Sequence, residues 1–237
     1  MKDIMRIMKF DFVTANLNKT ALLIAAAGFC AFGMFLTPSA MVFLYSIPFM
    51  YIFPLSAADD KYKLSRLYAI LPVKRKNVTR ARFIYIFVMF FFAEIITLPL
   101  SRLSYCMKLY RYIPIADEGI KITIEKTFAD YDFTLKVIAG AMIGLCLFFS
   151  YFETINKIFG KDKIIFTLTI TFVFLIVVFI AYRVLSKNGI LPKISVPDVP
   201  VTLAGKIAAG ILINAVMFLI CMILGEITAG KVSAREV

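Results

Sequence analysis

Histidine and tryptophan are both missing from this chain of 237 residues, and only four cysteines occur. Without histidine, the usual zinc and haem ligand sets cannot be built from local motifs. The cysteines form no C-x-x-C pair, and three of them lie inside apolar runs, so they do not indicate a redox compartment. The sequence therefore predicts no metal site and no catalytic residue.

Acidic residues are also scarce, with 15 Asp and Glu against 27 Lys and Arg. The hydrophobic fraction is 61%, including 24 Phe, whereas soluble domains average about 45–50%. This composition excludes an ordinary soluble core and indicates a membrane protein. The positive charge then suits loops near anionic lipid rather than nucleic acid. Charges throughout the first 20 residues leave no apolar core for a cleavable signal peptide, so we expect the first span to direct insertion.

Six apolar segments predict six transmembrane helices, because each is long enough to cross a hydrocarbon layer of about 30 Å. They are Thr20–Leu36, Ala40–Ala58, Phe83–Ser101, Phe133–Phe152, Ile164–Leu185 and Ala204–Gly225. The predicted fold is all-α, a polytopic membrane protein with a single transmembrane domain over residues 1–237. Residues 20–58 form a helical hairpin, residues 133–226 contain spans four to six, and residues 227–237 form a tail.

The distribution of Lys and Arg predicts the orientation. Most of them fall in the N-terminal segment, in residues 59–82, in the turn after the fourth span and in the tail, so both termini are expected in the cytoplasm. Residues 1–19 carry Met1, Ile4, Met5, Met8 and Phe12 at helical spacing, which predicts a helix in the membrane interface. Residues 102–132 are predicted to form an extracellular loop that contains short interfacial helices.

The cytoplasmic loop of residues 59–82 contains a helix-sized pattern. Asp59 and Asp60 are suited to cap a helix, and Pro72 ends it. Between them an apolar stripe recurs at helical spacing, formed by Leu64, Leu67, Tyr68 and Leu71. The pattern favours a helix that docks on a partner, and the alternative is a basic loop that only sets topology.

These residues resemble the second cytoplasmic segment of type-2 ABC transporter permeases, in particular small six-span bacterial exporter permeases. The resemblance rests on Asp59-Asp60-Lys61, Leu71-Pro72-Val73 and Arg75-Lys76, with a second match in the turn Asn156–Lys163. It implies a coupling helix at about Lys61–Leu71 that docks on a separate ATP-binding subunit. ATP and Mg are expected to bind in that subunit. The implied docking residues are Asp59, Asp60, Lys61, Leu64, Leu67, Tyr68, Leu71, Pro72, Arg75, Lys76, Lys157, Gly160 and Lys161.

The resemblance further implies an exporter in the bacterial plasma membrane, paired with a second copy of itself or a sister permease. The expected cargo is amphipathic or hydrophobic, and the Phe-rich spans favour a peptide. The segment Gly225–Val232 is close to a phosphate-binding loop, but Val232 replaces the hydroxyl that would bind Mg²⁺ and no strand precedes it. We therefore expect no ATPase site and no cofactor in this chain.

Glu94 lies near the centre of the third span. A lipid-facing carboxylate there costs on the order of 2.5–3.5 kcal/mol, so it should face protein or water. It either lines a translocation path and contacts a cationic substrate, or pairs with Ser, Thr or Tyr on a neighbouring helix. Gly140 and Gly144 predict close helix packing within the subunit, and Glu153 and Glu226 are expected to be ordinary interfacial charges.

Three other function classes are alternatives to a permease. An intramembrane enzyme would need His or paired Glu residues, which the sequence does not offer. An ion-driven secondary transporter would be expected to show internal repeats, and none is evident. A non-transporting membrane assembly or immunity subunit is compatible with the same spans, because the fold alone does not prove transport.

Overall fold

A computed structural model describes residues 4–9, 19–35, 38–52, 74–108, 118–129, 131–159, 169–173, 200 and 202–234. Every regular element in these ranges is helical. Short helices occur at residues 4–9 and 169–173. The longer ones are α1 (Lys19–Phe35), a 3-10 helix (Pro38–Tyr45) that continues into α2 (46–52), α3 (Arg75–Met107), α4 (Glu118–Ala129), α5 (Tyr131–Phe159) and α6 (Leu203–Ala234).

Within the described ranges, three helices are long and apolar enough to cross a membrane: Lys76–Met107, Tyr131–Phe159 and Leu203–Val232. They contain the predicted third, fourth and sixth spans, and they indicate a membrane protein. Each exceeds its predicted bounds, because hydropathy marks only the part that lipid can cover while backbone hydrogen bonding continues into polar residues. Helix α3, with 33 residues, is about 50 Å long.

The first two apolar segments form shorter helices, Leu23–Phe35 and Pro38–Ile52. They pack as neighbours, as a hairpin requires: the Phe43 ring lies 6.0 Å from the ring of Phe29 and 5.7 Å from that of Phe32. A Cβ atom on Gly33 would fall 2.6 Å from the Met41 sulfur, so glycine permits this close approach. The fifth predicted span lies outside the described residues except for 169–173.

Helix α3 occupies the centre of the bundle, where it contacts α1, the 3-10 helix, α5 and α6. It runs antiparallel to α6, since Arg80 pairs with Glu226 and Phe87 packs on Phe218. Helices α5 and α6 run parallel. Residues contact in the same order along both, as in the pairs Asp132–Lys206, Cys146–Cys221 and Thr154–Thr228. We call the end at which α3 begins the loop end, and the opposite end the far end.

The short helix at residues 4–9 packs on the loop end of α3. Ile7 is buried against Val78 and Ala81, with Ile4 and Met8 beside it. Met5, assigned to the apolar face from sequence, is 70% exposed. The buried face is therefore rotated from the predicted one.

The predicted extracellular loop of residues 102–132 is partly a continuation of helices. Helix α3 extends through it to Met107 and ends at Lys108, whose φ of 48° is left-handed and whose N–H donates to the Ser104 carbonyl. Helix α4 and the first residues of α5 occupy its second half. Polar residues do not end a helix by themselves, so α3 and α5 extend beyond the span boundaries predicted from hydropathy.

Candidate functional site in the helix bundle

Most of the predicted docking residues lie outside the described residues. These are Asp59, Asp60, Lys61, Leu64, Leu67, Tyr68, Leu71, Pro72, Gly160 and Lys161. Arg75 is the first residue of α3, and the Lys76 side chain is exposed. The coupling helix itself stays a prediction.

The second resembling segment is not a turn along its whole length. Asn156 to Phe159 belong to the last turn of α5, and Lys157 forms an ion pair with Glu153 one turn earlier, at 3.9 Å. Helix α5 continues to Phe159 because Asn156 and Lys157 can adopt helical backbone angles, and Gly160 follows only after them. Similarly, Gly225, Gly230 and Lys231 lie within α6, so this segment forms no phosphate-binding loop, and residues 227–234 of the predicted tail are helical.

Glu94 lies in the interior of the bundle, with only 6% of the residue exposed. The side chain of Asn214, on α6, lies against its carboxylate, and Tyr45 is near enough to interact with its charge. Within the described part of the chain, Glu94 Oε2 accepts no hydrogen bond. A buried carboxylate oxygen without a donor is costly, so Glu94 Oε2 is available to a further ligand.

Glu94 begins a polar stripe on the buried face of α3. Every buried residue of α3 from this point to the far end is polar, namely Glu94, Thr97, Ser101 and Ser104. Steps of three, four and three residues keep all four side chains on one helix face. Sequence reasoning missed the stripe, although the spacing is visible in the sequence once Glu94 is taken as its first member.

The two outer members of the polar stripe have hydrogen-bond partners, whereas the inner members do not. Ser101 Oγ donates to the Leu98 carbonyl at 2.8 Å and lies 3.2 Å from the Tyr131 hydroxyl. Ser104 Oγ donates to the Gly33 carbonyl. In contrast, the Thr97 hydroxyl has no partner among the described residues, and neither has that of Thr134 on α5. Within the polar stripe, the atoms that can accept a further hydrogen bond are therefore those of Glu94 and Thr97.

The far end of the polar stripe is surrounded by aromatic and charged side chains. The Arg102 guanidinium lies 5.3 Å from the Tyr105 ring centre and 5.0 Å from that of Tyr131, within the range of a cation–π contact. Lys206 pairs with Asp132 and joins α6 to α5. These groups are amphipathic or charged, as expected where a bundle meets water or lipid headgroups.

Toward the loop end, Glu94 is followed by a layer of buried aromatic rings. Phe90 is fully buried, with its ring centre 5.6 Å from that of Phe149 and 6.1 Å from that of Tyr45. Phe87 extends the layer one turn further and contacts Phe218. Glu94 therefore lies at a boundary between the polar stripe and the apolar section of the buried α3 face at residues 83–90.

A set of loop-end ion pairs joins α3 to two other spans. Arg80 bonds Glu226 of α6 at 2.6 Å, and Arg82 lies 3.9 Å from Glu153 of α5, which also pairs with Lys157. Arg82 and Glu153 are 4% and 3% exposed. The interpretation of Glu153 as an ordinary interfacial charge is therefore wrong, because its neighbours on α3 could not be read from sequence.

The structure also describes the buried cysteines and the glycine pair of α5. The thiols of Cys146 and Cys221 are buried and their sulfur atoms are 3.5 Å apart; both cysteines are free. Over the described ranges, no group of three or more His, Cys, Asp or Glu residues is arranged for a metal ion. A Cβ atom on Gly140 or Gly144 would meet nothing within 4 Å among the described residues, so these residues do not provide the predicted close packing against a described helix.

No family model matches the chain, and no curated protein or solved structure matches it. The functional assignment therefore depends on the residues themselves.

Proposed function

We propose that this protein is the permease subunit of a bacterial ABC exporter, energised by ATP hydrolysis in a separate subunit. The proposed cargo is amphipathic or hydrophobic, with a peptide favoured. A second copy or a sister permease would complete the transporter. The observation that best supports this proposal is the set of loop-end ion pairs, which attach the start of α3 to α5 and α6.

In the proposed mechanism, force from the ATPase enters through the apolar stripe of Leu64, Leu67, Tyr68 and Leu71. A helix with this stripe can dock in a groove of the partner, and α3 begins at Arg75 after residues 53–73. Force on that connection reaches α3 within two turns of Arg80 and Arg82. Because these arginines pair with Glu226 and Glu153, displacement of α3 would carry α5 and α6 with it.

The charge distribution supports an orientation with the loop end in the cytoplasm of the bacterial plasma membrane. Lys and Arg are concentrated in residues 59–82 and in the other segments expected on the same side, as the positive-inside rule requires. Both termini are then cytoplasmic. In this orientation the polar stripe leads from Glu94 to the outer face.

The proposal is tested by purifying the tagged chain from its native membrane and measuring whether an ABC ATPase and ATP hydrolysis accompany it. Leu67→Asp is expected to weaken the complex more than about tenfold, since burial of one leucine contributes about 1.5–3 kcal/mol and about 1.4 kcal/mol is a factor of ten. Charge reversal at Lys74, Arg75 and Lys76 should weaken it as well.

Ile122→Asp is the matched control, because Ile122 is an exposed apolar residue on α4 in the segment assigned to the opposite side of the membrane. It should retain the ATPase. A complex that survives both Leu67→Asp and the charge reversal would exclude the coupling helix.

An ion-driven secondary transporter is the second candidate, favoured by one observation: the buried Glu94 carboxylate at the end of a polar stripe. This candidate predicts transport that persists without any ATPase and stops when the membrane ion gradients are collapsed.

A further inference from the structure

We propose that Glu94, Thr97 and Tyr45 form a binding site for a monovalent cation, which reaches the site from the far end along the polar stripe. The cation is an alkali-metal ion or a primary ammonium group. The proposal concerns a binding equilibrium of this chain alone and holds for either candidate function above.

The described ion pairs do not include Glu94. Glu94 is 6% exposed, and the ion pairs found in the described ranges involve other carboxylates, namely Asp132, Glu153 and Glu226. Arg102 lies eight residues beyond Glu94 on α3, and Lys206 lies eight residues before Asn214 on α6. Along the helix axes, Arg102 is therefore about 12 Å from Glu94, and Lys206 is about 12 Å from Asn214. Lys136 on α5 is a further described cation, and it takes part in an interaction of its own. A buried carboxylate that belongs to none of the described ion pairs is stabilised by binding a cation of its own.

Three buried oxygen atoms are available as ligands for the cation. In the described part of the chain, Glu94 Oε2, Thr97 Oγ1 and the Tyr45 hydroxyl are buried and have no hydrogen-bond partner. Thr97 lies one helical turn from Glu94, and Tyr45 lies near its charge. All three are hard oxygen ligands of the kind that suits alkali and alkaline-earth ions. They also match the three N–H donors of a primary ammonium group.

The single carboxylate decides the charge of the ligand. Divalent cations such as calcium are usually held by several carboxylates and carbonyls, whereas one carboxylate with two hydroxyls balances a single positive charge. Asn214 supports the site, because its Nδ2 donates to the Gly210 carbonyl at 3.0 Å while its side chain lies against Glu94.

The side chains on either side of Glu94 determine how a cation reaches the site. On the far-end side of Glu94 the buried residues of α3 are all polar, and Thr134 of α5 adds a further open hydroxyl. On the loop-end side the rings of Phe90, Phe149 and Phe87 close the path. A small cation can exchange its water for hydroxyl oxygens along the first route but finds only apolar rings on the second.

The test is thermal unfolding of the purified full-length chain in detergent, followed by circular dichroism. Buffers of constant ionic strength contain choline chloride, with NaCl, KCl or n-butylammonium chloride replacing it stepwise. A saturable rise in Tm of about 5 °C or more is expected near a hundredfold excess over the dissociation constant. A response to NaCl or KCl identifies an alkali-metal ion as the ligand, and a response to butylammonium alone identifies an amine.

Glu94→Gln should abolish the response, and Thr97→Val or Tyr45→Phe should weaken the apparent affinity about fivefold or more, the factor that corresponds to about 1 kcal/mol for the loss of one buried polar contact. Glu125→Gln, an exposed carboxylate on α4, is the matched control and should respond like the wild type. Lowering the pH should weaken the response, because a proton competes for the same carboxylate.

The proposal is overturned if no salt raises the Tm above its value in choline chloride, or if Glu94→Gln responds as the wild type does. If Glu94→Gln does not fold, an unchanged response in both Thr97→Val and Tyr45→Phe overturns it equally.

Discussion

At the scale of single residues, Arg82 and Glu153 show how burial changes the value of an ion pair. Both are less than 5% exposed, and their charged atoms lie 3.9 Å apart between α3 and α5. Removal of one member of a buried pair leaves a charge without compensation, and this typically costs about 3–5 kcal/mol. An exposed pair such as Arg80–Glu226, whose side chains are 33% and 50% exposed, contributes about 0–1 kcal/mol.

We therefore expect Glu153→Gln to lower the apparent Tm by about 6 °C or more, while Glu226→Gln lowers it by less than about 4 °C. The double variant Arg82→Met with Glu153→Leu should lie closer to the wild type than Glu153→Gln, because it removes both charges and fills their volume with apolar atoms. The measurement is thermal unfolding in one detergent. Equal losses for Glu153→Gln and Glu226→Gln would contradict the burial argument.

At the scale of the elements, α3 combines two unlike buried halves. From Glu94 to the far end its buried side chains are polar, and between Phe83 and Phe90 they are aromatic and aliphatic. Polar cavities hold water, whereas apolar ones of similar size stay dry. Hydration, and with it the reactivity of a thiol, should therefore change abruptly along one helix face.

This prediction is tested by cysteine labelling in a background without the four native cysteines. Ser101→Cys should react at least about tenfold faster than Phe90→Cys with a membrane-impermeant thiosulfonate, because a thiolate forms only where water reaches it. Both native residues are fully buried, so exposure in the resting structure does not account for a difference. A variant that retains Cys106 as its single cysteine provides the positive reference, because Cys106 is exposed near the far end of α3. Similar rates at positions 90 and 101 would exclude a hydrated polar stripe.

The elements also show what the sequence reveals and what it does not. The long apolar helices follow from hydropathy alone, because about 20 apolar residues have few other uses. The inward position of Glu94 follows from the cost of exposing it to lipid. Asn214 and Tyr45, in contrast, come from segments far away in the chain, and only helix packing brings them to Glu94. The same holds for Arg82 with Glu153, where each charge taken alone resembles an ordinary span edge.

At the scale of the whole molecule, ion pairs join helices of the bundle at both ends, but only one end adjoins the proposed coupling helix. Arg80 pairs with Glu226 at the loop end, and Lys206 pairs with Asp132 at the far end. Both pairs are partly exposed and chemically alike. They differ in whether force from the ATPase would have to pass through them.

Arg80→Gln is therefore expected to leave the ATPase bound and to reduce the permease-dependent stimulation of ATP hydrolysis about two- to fivefold, the factor that corresponds to an exposed pair of up to about 1 kcal/mol. Lys206→Gln should leave the stimulation unchanged, since its pair with Asp132 holds α5 to α6 away from the docking side. The readout is ATP hydrolysis by the purified complex in nanodiscs, relative to the isolated ATPase. Salt should diminish the difference between wild type and Arg80→Gln, because ions screen an exposed pair. If both substitutions lowered the stimulation equally, the loop-end pairs would serve only to stabilise the bundle, and movement would have to reach α5 and α6 through side-chain packing instead.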